Sequence, residues 1–268
     1  MDRDRYGDEL AVVTATPASD GALERFLDTL ETATSRRPRV LIAETAHHDG
    51  APAPARLTRF RPGVQLVSIG EDVGFAAAIN RAVAGLGHEF GWLAVAVPDI
   101  RWEPGALDVL LATANQWPRA GVVVPRLTHE AGNPSPRGRP RCTARCGGVI
   151  RRARHALAVE MLRWMLPGRS RRSGLGQSGA LTTVCLLRRL AFDSVDGFDP
   201  RYRLHVAGAD LGARIVRAGW RCMLAPTAEV TAPAPTVDPA ELHRGAVRYV
   251  TDRTPGPWRV LPRVVLGR

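Results

Sequence analysis

Four carboxylates in the first hundred residues each stand just past a run of aliphatic residues. Glu44 lies at the end of RVLIAET and Asp49 follows five positions later; Asp72 comes after VQLVSIG, with Gly74 beyond it; Asp99 comes after GWLAVAV and Pro98. If those runs are parallel strands of one sheet, the groups share its carboxyl edge, where such sheets bind ligands. Acidic groups there hydrogen-bond the base or ribose of a nucleotide, or hold a divalent cation between phosphates through oxygen ligands. The other use of each carboxylate is a helix N-cap or a solvated loop position. No GxGxxG and no GxxxxGK[ST] occurs, so neither the dinucleotide fingerprint nor a P-loop is supported.

A fifth carboxylate, Asp210, stands nearly alone in RYRLHVAGADLGARIVRAGW, residues 201–220. Its place before LGARIVRAG makes it an N-cap for residues 211–219. Asp210 is also a candidate general base, and His205 is a second; the other reading of His205 is an ordinary surface histidine. Cys142 and Cys146 have a spacing that could hold metal, but no second Cys or His pair follows at finger-like distance, so zinc is not expected. Cys185 and Cys222 lie in apolar runs and read as small core residues.

The elements that would position these groups alternate along the chain. Strands are predicted at 10–16, 39–45, 64–70, 91–97 and 120–127, and helices at 21–35, 74–86 and 104–117. This alternation predicts a doubly wound, mostly parallel α/β sheet with flanking helices. Residues 128–178 turn rich in Arg, Pro, Gly and Ser. A strand at 180–189, a helix at 209–219, a strand at 220–232 and a tail holding one further helix follow. The expected organisation is an α/β half at 1–127, a second half of the same domain at 128–232 and a basic tail at 233–268.

Composition narrows the classes. Apolar residues are 45% and charged residues 24%, which is globular rather than disordered. The formal charge is +11, and every one of the 37 basic residues is Arg. That balance attracts phosphate-rich partners, or reflects a coding bias towards Arg. The densest basic stretch, RGRPRCTARCGGVIRRARH, interleaves no aromatics, so nucleic acid is not expected as a partner. No apolar run is long enough to cross a bilayer and MDRDRYGDEL is no signal peptide, so a cytoplasmic protein is expected. The last residues, RYVTDRTPGPWRVLPRVVLGR, suit peripheral contact with the anionic inner face of the plasma membrane.

Five segments, LIAETAHHDG, EDVGFAAAINRAV, VAVPDIRWEPGALDVLL, CLLRRLAFDSVDGFDPRY and ADLGARIVRAGW…APTAEV, resemble in order and spacing the motifs of family 2 glycosyltransferases. Within them the chain resembles the actinobacterial dTDP-rhamnosyltransferases of cell-wall assembly, over roughly residues 10–232. The resemblance implies a GT-A fold, a nucleotide-diphosphate sugar donor, a lipid-linked or glycan acceptor, and a divalent cation, Mg²⁺ or Mn²⁺. It places Thr14, Glu44, Asp49, Asp72, Gly74, Asn80 and Asp99 around the nucleotide sugar, with Glu44 facing the base and Asp99 at the metal. Gly197, Phe198 and Asp199 fall in the acceptor-side turn.

The departures are local. Val97 stands where the family has Asn before Pro-Asp. Ala207 and Gly208 stand where its Glu-Asp pair supplies the catalytic base, leaving Asp210 to match the last Asp of that motif. Thr231 stands where the family has a metal-binding His. An inverting transfer needs a base to take the acceptor proton and a cation to stabilise the leaving diphosphate. The resemblance therefore implies either a transferase with impaired catalysis or a non-catalytic relative serving as a partner or regulator.

Overall fold

In the computed structural model the described residues are 5–16, 21–45, 61–129, 183–204, 206–233 and 239–253. Asp49, His205, Cys142, Cys146, the Arg-rich stretch and the tail beyond residue 253 lie outside them. The elements are β1 (Glu9–Thr16), α1 (Gly21–Ala33), β2 (Arg39–Glu44), β3 (Val64–Ser68), α2 (Phe75–Ala84), β4 (Phe90–Ala96), β5 (Arg101–Trp102), α3 (Ala106–Gln116), β6 (Ala120–His129), β7 (Val184–Arg188), α4 (Arg189–Asp193), α5 (Ala207–Arg217), β8 (Arg221–Ala232) and α6 (Pro239–Arg253).

The strands form one sheet in the order β3-β2-β1-β4-β7-β6-β8-β5. β3, β2, β1 and β4 are mutually parallel, as are β6 and β8, while β7 runs antiparallel between β4 and β6. This is the mostly parallel, doubly wound sheet that the strand–helix alternation predicts.

The central strands are buried on both faces and read as nearly continuous apolar runs, the pattern of a covered parallel sheet. Along β1, Ala11, Val13 and Ala15 point into one core layer and Leu10 and Val12 into the other. The first layer is closed by Ala76, Ile79 and Val83 of α2, Leu211 and Ile215 of α5, and Tyr249 of α6. The second is closed by Leu23, Phe26 and Leu30 of α1 and Leu107 and Leu110 of α3. Alanines on α2 let that helix lie close to the sheet. Cys185 and Cys222 are core residues, and burial pushes the Cys222 thiol up to about 12.

Two boundaries differ from expectation. Of the strand predicted at 180–189, Val184–Arg188 is strand among the described residues, and Arg189 opens α4. There the Arg189 guanidinium bonds Asp193 one turn on, at 2.9 Å, and lies against the Tyr6 ring, contacts a helix provides and a strand does not. α5 begins at Ala207, two residues before the predicted start, with Val206 ahead of it and no side-chain cap. Asp210 is therefore a first-turn residue and not the N-cap; the i,i+4 bond to Arg214 holds it inside the helix. No helix among the described residues is long and apolar enough to cross a membrane.

Candidate functional site

Because β1 to β4 run in parallel, their carboxyl ends open on one edge. The register sets Thr16 beside Glu44, and Glu44 beside Ser68. Two backbone bonds extend the edge past the strands, Thr45 N–H to the Thr16 carbonyl at 3.1 Å and Ile69 N–H to the Glu44 carbonyl at 2.8 Å. Glu44 is half-buried there. Thr14 is not part of the edge surface: it is fully enclosed, two residues back along β1, and its hydroxyl has no hydrogen-bond partner. Thr16 is the threonine at the edge, a position the sequence reading passed over.

The loop after β3 is a compact turn. Asp72 accepts a bond from the Gly74 N–H at 3.3 Å and pairs with the Arg203 guanidinium. Gly74 has φ of 80°, and a Cβ there would meet Arg203 at 3.2 Å, so glycine is required for both conformation and space. The Arg203 carbonyl accepts from the Ala76 N–H in the first turn of α2, at 3.2 Å. The loop that follows β3 is thus bonded to the segment that precedes α5.

Asn80 is engaged by the 196–199 turn. Its amide brackets Phe198: Nδ2 donates to the Phe198 carbonyl at 2.7 Å, and Oδ1 accepts from the Phe198 N–H at 2.9 Å. Asn80 therefore holds the Asp196-Gly197-Phe198-Asp199 turn in place across the first core layer. Within that turn Asp196 and Gly197 have φ of 56° and 69°. A Cβ on Gly197 would lie 2.6 Å from Asn80 Oδ1 and 2.8 Å from the Phe192 ring. Burial works to raise the Asp199 carboxyl. Hydrogen bonds from the Arg201 side chain and backbone outweigh it and hold the group below its ordinary value.

Asp99 is exposed in the turn between β4 and β5. Two residues on, Arg101 pairs with Thr231 of β8, so the end of β8 sits beside the Asp99 turn. The Thr231 hydroxyl donates to Glu103 Oε1 at 3.1 Å and shares a 2.9 Å bond with the Thr128 hydroxyl. The sheet thus brings together the two positions that the resemblance assigns to the metal. Only one of them is a carboxylate, and the described residues contain no cluster of three or more His, Cys, Asp or Glu.

Asp210 has a different setting from the one expected of a base. It is only 2% exposed, and both its oxygens are engaged: Oδ2 by Arg214 Nε at 2.7 Å and Oδ1 by Arg253 Nη2 at 2.5 Å. Arg253, the last residue of α6, also stacks on the Tyr249 ring with its guanidinium carbon 3.6 Å from the centroid. A base needs a lone pair within reach of the acceptor hydroxyl. The two guanidiniums occupy both oxygens of this buried carboxylate. Beside this pair burial, helped by the Asp210 charge, pushes the Tyr202 hydroxyl up to about 12. Ala207 and Gly208 are buried in the first turn of α5. Sequence reasoning missed Arg214, Arg253, Tyr202 and Tyr249; only the Asp210–Arg214 spacing was visible there.

No protein-family model matches the chain. The chain is 36% identical, over 276 residues, to the N-acetylglucosaminyl-diphospho-decaprenol L-rhamnosyltransferase of Mycobacterium tuberculosis in two strains, covering 94% of this chain and 87% of the relative. Among solved structures, the mannosyltransferase PcManGT from Pyrobaculum calidifontis, in complex with GDP-Man and Mn²⁺, matches with a TM-score of 0.59 at 18% identity, covering 97% of this chain and 68% of that one. S. aureus TarS 1–349 matches with a TM-score of 0.63 at 13% identity, covering 96% and 69%. These likenesses show the GT-A fold.

Two substitutions test the geometry. Gly197→Ala forces a strained φ and a clash with the Asn80 clamp, and lowers unfolding free energy by about 2 kcal/mol in urea titrations. Asp210→Asn leaves two arginines facing a neutral group in a buried site, and costs about 3 kcal/mol in the same measurement. A stability within 0.5 kcal/mol of the parent protein (roughly the effect of an ordinary surface change) refutes the corresponding contact.

Proposed function

The chain belongs to the family of the mycobacterial N-acetylglucosaminyl-diphospho-decaprenol L-rhamnosyltransferases, and on that premise we propose that it transfers a sugar, rhamnose in the first instance, from a nucleotide-diphosphate donor to a lipid-linked amino sugar. The observation that carries this reading is the match itself, 36% identical across 94% of the chain. The carboxyl edge supports it: Glu44 stands where a nucleotide base would meet a carboxylate, and Asp99 beside the β8 terminus where a diphosphate would lie.

A divalent cation fits this edge on chemical grounds. Mg²⁺ and Mn²⁺ accept one or two carboxylates together with a substrate's own phosphate oxygens. Asp99 would be the carboxylate, and the cation would offset the charge on the leaving diphosphate. The acceptor comes from the side of the 196–199 turn and the start of α5. Its hydroxyl attacks the anomeric carbon as the bond from that carbon to the diphosphate oxygen breaks, and its proton must be taken up. At Ala207 and Gly208 no side chain takes it, and Asp210 is held by two arginines. Transfer without a positioned base is slower by roughly 10²–10⁴-fold. The same two features favour a second reading, a folded, nucleotide-sugar-binding relative that acts as a partner or regulatory protein and transfers nothing.

Calorimetric titration with dTDP-rhamnose, dTDP and UDP, with and without Mn²⁺, is followed by a transfer assay on lipid-diphosphate-linked N-acetylglucosamine. The expected outcome is metal-assisted binding of one nucleotide and slow turnover, with Asp99→Asn weakening binding about tenfold. Binding with no turnover selects the second reading. A folded protein that binds none of the three nucleotides overturns both.

A further inference from the structure

We propose that Arg244 and Arg248 of α6 form the seat for the diphosphate of the lipid-linked acceptor, a proposal that rests on the acceptor reading above. α6 is built against the acceptor side of the fold. Gly245 packs so close to Val206, at the start of α5, that a Cβ there would come within 2.8 Å of the valine side chain. Arg248 Nη1 donates to the Arg201 carbonyl at 2.9 Å, Arg201 pairs with Asp252 at 2.8 Å, and Arg253 pairs with Asp210. These contacts make α6 one wall beside the 196–199 turn.

Four exposed arginines line that wall: Arg201, Arg203, Arg244 and Arg248. Two have their charge answered, Arg201 by Asp199 and Asp252, and Arg203 by Asp72. Arg244 and Arg248 pair with no carboxylate among the described residues, and Glu241, one turn before Arg244, bonds neither of them. They are four residues apart, so their side chains are neighbours on one helix face. A like-charged pair at this spacing weakens a helix unless an anion lies between its members.

Arg248 is fixed by its backbone bond to Arg201, which orders the guanidinium without neutralising it and leaves its other N–H groups for a ligand. Two adjacent guanidiniums match the oxygens of a diphosphate through paired N–H donors. A lipid-linked acceptor presents that group next to the sugar that must reach the start of α5. Other arginines without a carboxylate partner, such as Arg119 and Arg221, lie at the opposite end of β6 and β8, far from the carboxyl edge.

The test uses the full chain with two kinds of vesicle: phosphatidylcholine carrying polyprenyl diphosphate, and phosphatidylcholine carrying phosphatidylglycerol at the same surface charge. The Arg244→Gln/Arg248→Gln variant is compared with Arg119→Gln/Arg221→Gln, which removes the same charge from the far end of the sheet. Nucleotide titration on each variant confirms a folded donor side. The expected result is binding to diphosphate vesicles that falls roughly tenfold or more in Arg244→Gln/Arg248→Gln and stays within about twofold in the control. Unchanged binding by Arg244→Gln/Arg248→Gln overturns the proposal, as does an equal loss in the control. Equal binding and equal loss on phosphatidylglycerol also overturn it, since the surface then reads charge and not diphosphate. If the parent protein binds diphosphate vesicles no better than plain phosphatidylcholine, the acceptor reading itself falls and takes this seat with it.

Discussion

The parallel pairing of β1 with β2 on one side and β4 on the other is the constraint on which the rest of the structure depends. A strand buried on both faces needs helices on both faces, and the alternation of residues along β1 supplies two apolar layers for them. Parallel strands must all end at the same edge, so the carboxyl ends of β1, β2, β3 and β4 lie together. β7 adds to this. It runs antiparallel to β4 with Val184 opposite Ala96, and the Val97 N–H bonds the Thr183 carbonyl at 2.9 Å. His129, at the end of β6, and Thr183, just ahead of β7, therefore both lie at the carboxyl edge.

The corner where α5, α6 and the 196–203 segment meet is organised by charge rather than by the sheet. Asp210 is a buried anion whose two oxygens draw in Arg214 from its own helix and Arg253 from α6. A buried carboxylate left without partners would be costly, so the position of α6 is tied to that of α5. Arg201 adds a second tie through Asp199 and Asp252, and the Asn80 clamp fixes the turn from the donor side. Three distant segments, 72–80, 196–203 and 245–253, are joined by polar contacts over one corner of the core. This corner links the β3 loop to the region an acceptor would enter.

Much of the donor half was legible in the sequence because it rests on period and composition. Apolar runs of strand length, a small-residue helix after Gly74 and carboxylates at the run ends give the parallel sheet and its edge directly. What was not legible depends on pairing between residues far apart. Nothing in the chain marks Arg203 as the partner of Asp72, or Arg253 as that of Asp210, since each pair spans tens of residues and an Arg-rich sequence offers many equivalent candidates. The resemblance places Asn80 at the nucleotide sugar; its two bonds to the Phe198 backbone could not be read from the sequence. The resemblance places Thr14 at the nucleotide sugar, but β1 is buried on both faces and encloses it. The short β5 left no periodic signal at all.

The small residues at 207 and 208 belong with the docking of α6. Ala207 is fully enclosed, in the same core layer as Val206, Tyr202 and Tyr249. An ionised glutamate at that position would enter an apolar contact with no partner provided for it, and burying an unpaired charge there is unfavourable by several kcal/mol. Small residues let the first turn of α5 lie against α6, and the close approach of Gly245 to Val206 completes the contact. Asp210, the carboxylate in this stretch, ties α5 to α6 through Arg214 and Arg253.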